Sequence, residues 1–90
     1  DAGQSHGMLR CIPNPTNGSS LLRFDLPESQ NIRIEIRDLN GRIVSVAAEG
    51  YFLRDSYDIP LDVNGISAGL YLCTLITGSE RYTIKLGVGI

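Results

Sequence analysis

The chain has 90 residues, 42% of them hydrophobic, and a formal charge of −2. That length makes one domain with a modest core, burying about 60–65% of the unfolded surface, and the hydrophobic share excludes a disordered tail. A net negative chain lacks the concentrated positive charge of a nucleic-acid binder. No apolar run approaches the ~20 residues a membrane-crossing helix needs.

Asp1–Gly7 is small and polar and contains no basic-then-apolar leader. It reads as a linker ahead of a domain covering residues 8–90, with any export signal expected further upstream. Met8 to Ile12 reads as a first strand, ended by Pro13. Pro13 and Pro15 have fixed φ and no backbone donor, so Pro13–Gly18 is a turn. Ser20 to Leu26 alternates Leu22, Phe24 and Leu26 with Arg23 and Asp25, the mark of a half-buried strand.

Asn31 to Asp38 alternates more cleanly, with Ile32, Ile34 and Ile36 opposite Arg33, Glu35 and Arg37. Asn40–Gly41 then predicts a type I′ hairpin, which needs positive φ at both residues. Arg42 to Ala47 is the fourth strand, and 48–54 reads as a loop with a strand end. Ser56 to Asp62 is the fifth, with Pro60 arguing for an edge or a bulge. Leu70 to Ile76 is nearly all apolar and reads as a central strand. Arg81 to Val88 is the last. Seven short strands with a turn every 8–12 residues predict an all-β, antiparallel, immunoglobulin-like sandwich.

Chemistry-bearing residues are sparse. The single histidine, His6, lies in the polar leading stretch, a poor place for a catalytic triad. Asp55, Asp58 and Asp62 make a surface calcium site conceivable but do not form a calcium loop. Tyr51 and Phe52 are the candidates for a sugar-binding platform. Asn17-Gly18-Ser19 matches a glycosylation acceptor but also suits a turn. Cys11 and Cys73 fit no zinc or redox spacing. They read either as small core residues or as a disulfide between the first and sixth strands, closing a loop of roughly 60 residues. No catalytic residue, cofactor or metal is predicted.

The turn residues carry a more specific signal. Ile12-Pro13-Asn14-Pro15-Thr16-Asn17-Gly18 resembles the Y-P-N-P-x-x-G opening of type A C-terminal sorting domains of the type IX (Por) secretion system of Bacteroidetes. Phe24-Asp25-Leu26-Pro27-Glu28 resembles the family's F-x-L-P-E. Ile34 to Arg42, which holds Asp38, Gly41 and Arg42, resembles I-x-I-Y-D-x-x-G-R. Ile66 to Tyr71, with Gly69, resembles L-x-x-G-x-Y, and Lys85-Leu86 resembles the K-hydrophobe pair near the family's end. Five motifs in order span about Leu9 to Val88. Ile12 and Arg37 stand where the family has tyrosine. A similar pattern occurs in the Ig-like domain of flagellar hook-capping proteins.

The resemblance implies a non-catalytic address label behind an N-terminal cargo. In that reading the exported chain is read in the periplasm by the outer-membrane translocon and shuttle. A sortase-like transpeptidase then acts on it at the cell surface. A monomer that binds no nucleic acid is expected. Recognition candidates are the motif residues, the edge of the last strand with Lys85, and a basic patch of Arg33, Arg37 and Arg42. The competing readings are a structural Ig-like spacer or adhesion module and a carbohydrate-binding module.

Overall fold

The computed structural model describes residues 9–89. His6, the 1–7 linker reading and the start of the first predicted strand at Met8 lie outside the described residues. Seven strands form two sheets. β1 (Arg10–Ile12), β2 (Ser19–Leu26) and β5 (Asp55–Asp62) pair in the order β1-β2-β5. β3 (Gln30–Arg37), β4 (Ile43–Phe52), β6 (Gly69–Ile76) and β7 (Arg81–Val88) pair in the order β4-β3-β6-β7. Every strand ladder is antiparallel, so this is an all-β sandwich of the predicted class.

The alternation read from the sequence sets the inner faces. Leu22, Phe24 and Leu26 of β2 meet Ile32, Ile34 and Ile36 of β3 and Tyr71, Cys73 and Leu75 of β6 in one buried cluster. Leu86 and Val88 of β7 join it, with Leu9, Cys11, Leu61 and Val63. Near one margin Phe24 stacks on Tyr57 with centroids 5.3 Å apart, and Phe52 meets Tyr57 edge-on at 5.1 Å, both favoured aromatic geometries. Tyr71, near the start of β6, donates its hydroxyl to the Ser67 carbonyl at 2.5 Å. This is the corner that Ig-like sandwiches use at the same place.

Three expectations need correction. Residues 48–52 are strand throughout rather than a loop with a strand end: β4 runs on to Phe52, with Ala48 opposite Ile34 and Gly50 opposite Ile32. Two register shifts in the β3–β4 ladder break the period-2 pattern of β4, because a bulge opposes two residues to one. Phe52 therefore packs in the aromatic cluster rather than offering a sugar platform, while Tyr51 stays exposed.

The Asn40–Gly41 turn is also not type I′. Among the described residues no non-glycine has positive φ, so within this turn Gly41, at +91°, is the positive-φ residue and Asn40 is not. Gly41 N–H donates to the Asp38 carbonyl, and Asp38 N–H to that of Arg42, the geometry of a turn followed by a left-handed bulge glycine. Finally, Asp58 does not join a carboxylate cluster. Cross-strand register pairs it with Arg23 at 2.8 Å, and that contact holds its pKa down, the Arg23 hydrogen bond leading.

Pro60 lies in β5, an edge strand, as its missing donor requires. β6 is central, but of its outward residues Thr74 is buried while Leu72 and Ile76 are half-buried and Leu70 is 50% exposed. Cys11 and Cys73 are both free and buried within the core.

Candidate functional site

Register places most of the motif residues at one end of the sandwich. β3 ends at Arg37 opposite Leu72, and β6 begins at Gly69 opposite Val88. The turn after β1, the β3–β4 hairpin, the loop before β6 and the finish of β7 therefore converge. Pro27 and Glu28 of the F-x-L-P-E motif lie at the opposite end.

The Pro13–Gly18 segment crosses from the first sheet to the open edge of β7. Both X–Pro bonds, at Pro13 and Pro15, are cis. Asn14 acts as a strand substitute: its Nδ2 donates to the Lys85 carbonyl at 2.8 Å, and its Oδ1 accepts the Gly87 N–H at 3.0 Å. Thr16 continues the seal as a parallel bridge to Val88. Its N–H donates to the Gly87 carbonyl, and its carbonyl accepts from Gly89, both at 2.8 Å. Ser20 Oγ donates to the Pro13 carbonyl at 2.9 Å, and the Gly18 carbonyl accepts from Val63.

The edge of β7 is thus closed along Lys85–Gly89. This narrows the expectation that the last strand is a free edge for pairing. Lys85 itself points outward and is exposed.

At the hairpin, Asp38 Oδ1 accepts the N–H groups of Asn40 at 2.9 Å and Arg42 at 3.0 Å. The Arg42 N–H bond leads in holding this carboxyl below its ordinary pKa. Arg42 Nε reaches Asp38 Oδ2 at 3.4 Å. Asp38, Gly41 and Arg42 therefore build the turn itself.

Arg33 and Arg37 share a partner that sequence reading passed over as one polar residue in an alternating strand. Glu35 points away from the core, yet is only 5% exposed. Its Oε2 accepts Arg33 Nε at 2.6 Å and its Oε1 accepts Arg37 Nε at 2.9 Å. Arg33 also reaches Glu49 at 2.9 Å, and Arg37 donates to the Gly41 carbonyl. The Arg33 bond leads in lowering the Glu35 pKa below its ordinary 4.5, against the opposing effect of burial. The signal was present as Arg-x-Glu-x-Arg, which a strand projects on one face.

At the far end an open groove of about 790 Å³ has a floor including Leu26, Leu75 and Tyr82 and acidic residues such as Glu28 and Glu80 at its rim. Among the described residues no group of three His, Cys, Asp or Glu side chains could hold a metal.

A two-sheet antiparallel sandwich whose motif residues tie its first loop to its last strand is an Ig-like module. A family model described as the secretion system C-terminal sorting domain matches residues 10–88, and the chain belongs to that family. It is a sorting domain for type IX secretion of a cargo protein, a secretion-signal module recognised by the type IX machinery and exported to the cell surface or beyond. A search of the curated proteins finds no match.

Proposed function

We propose that the machinery reads this domain as a folded unit, during transit through the periplasm. The outer-membrane translocon and its shuttle are the first readers, and a sortase-like transpeptidase acts on the delivered cargo afterwards. Residues 8–90 form the label, carried as a monomer behind the cargo. In this reading Pro13, Asn14, Pro15, Gly18, Asp38, Gly41, Arg42, Gly69 and Tyr71 serve recognition indirectly, by building and locking one end of the label. Lys85 takes part with its outward side chain.

The supporting observation is the seal between Asn14 and β7. It joins the beginning of the domain to its end, so only a completely folded chain presents the finished surface. The chemistry lies with the machinery, and the domain supplies shape and charge.

The test is export of a fluorescent reporter that carries its own export signal and this domain at its C-terminus, in a type IX-competent bacterium. The reporter is expected at the cell surface or in the medium. A reporter held in the periplasm, as it is without the domain, overturns the reading.

A further inference from the structure

We propose that the outer face of the four-stranded sheet is the surface the machinery touches, and that it takes an acidic protein surface carrying separated carboxylates. This rests on the sorting reading above and names the partner's chemistry. Cross-strand register lays three rows across all four strands. One is Ile43–Arg37–Leu72–Lys85. The next is Val46–Glu35–Thr74–Thr83, and the third is Glu49–Arg33–Ile76–Arg81.

Four cations therefore stand at the corners of a rectangle, with Leu72 and Ile76 between them. At strand spacings its Cα positions measure about 13 by 10 Å. Two of these cations are held in place, Arg33 and Arg37 by Glu35. The other two, Arg81 and Lys85, have no ion pair among the described residues. The apolar ground is open as well: Ile43 is 43% and Val46 41% exposed.

The other sheet has the reverse charge balance. Its outer face carries Asp25, Asp58 and Asp62 against Arg10 and Arg23. The basic face thus opposes the sign of the whole chain, which is −2. Such asymmetry orients an encounter with an oppositely charged surface. Arg33 and Arg37 already converge on the Glu35 carboxylate, and Glu35 and Glu49 among the cations repel a dense polyanion. Flat aliphatic ground between spaced cations fits a protein face with dispersed carboxylates and apolar residues between them.

The experiment compares three versions of the reporter fusion: the unaltered domain, the Arg81→Glu/Lys85→Glu variant, and an Arg10→Glu/Arg54→Glu variant with the same charge change away from this face. The isolated domains are melted in parallel. The first double variant is expected to lose about tenfold in surface-displayed reporter while melting close to the unaltered domain, and the second to be displayed normally. If the first double variant melts early, Arg81→Gln/Lys85→Gln replaces it and is expected to reduce display in the same direction.

Normal display of the face variant, with the unaltered domain also displayed, overturns this surface and leaves the sorting reading intact. An equal loss in the control variant overturns it too. Co-sedimentation of the unaltered domain with phosphatidylglycerol vesicles, lost in the face variant, assigns the face to lipid and overturns the proposal. An unaltered domain that stays in the periplasm overturns the sorting reading, and this one with it.

Discussion

Glu35 is a carboxylate on the outside of a sheet that water scarcely reaches. Its charge is held by two guanidiniums, so replacing it leaves Arg33 to Glu49 and Arg37 to the Gly41 carbonyl. Glu35→Gln is expected to lower stability by about 1–2 kcal/mol at pH 7, at the low end because both arginines are about a third exposed. The folded pKa lies below 4.5, so this stabilisation is complete above the unfolded value and fades as pH falls through the folded one. Urea unfolding should show a constant gap between parent and variant from neutral pH down to about pH 5, closing below that.

Thr16 tests the opposite case. It is fully buried and its hydroxyl has no hydrogen-bond partner among the described residues, while its backbone makes the bridge to β7. Thr16→Val removes an unsatisfied group and keeps the shape. It should raise the unfolding free energy by up to about 1 kcal/mol. The Cys73 thiol is pushed up to about 12 by burial, with Cys11 adding to the shift. A thiol reagent should label it slowly in the native domain and promptly in denaturant, since the thiolate is the reactive form.

At the level of the strand, Asn14 does the work of a neighbouring strand for β7. Asn14→Ala removes one donor and one acceptor from that edge, and should cost about 1–3 kcal/mol. Hydrogen exchange at the Gly87 amide should speed up, while amides in β3 change little. A wild-type rate at Gly87 would show that Asn14 does not seal the edge.

The strands differ in how far the sequence disclosed them. β3 was legible because Ile32, Ile34 and Ile36 alternate without a break, and a half-buried strand has that period by necessity. β4 was legible only at its start, since its two register shifts move residues between faces. The Asn40–Gly41 turn was legible as a reversal but not in type. Gly41 alone needs positive φ, and the Asp38 side chain stabilises the turn through two backbone amides.

For the whole molecule, the last strand is part of both the core and the sealed edge. β7 supplies Leu86 and Val88 to the core and the edge that Asn14 closes. Removing Arg81–Ile90 is therefore expected to unfold the domain, with loss of the β-sheet circular dichroism signal, rather than to leave a folded module without its address. Point changes on exposed side chains separate recognition from folding where truncation does not.

By itself the sequence determined the number of strands, most of their inward residues and the turn motifs that assign the chain to its family. Those properties are local, because alternation and turn chemistry are written in neighbouring residues. Tertiary structure alone decided that Asn14 closes the edge of β7, 71 and 73 residues away. It also decided that Arg33, Arg37, Arg81 and Lys85 share one face. Both depend on strand order and register, which burial of the combined inner faces fixes; no stretch of neighbouring residues encodes them.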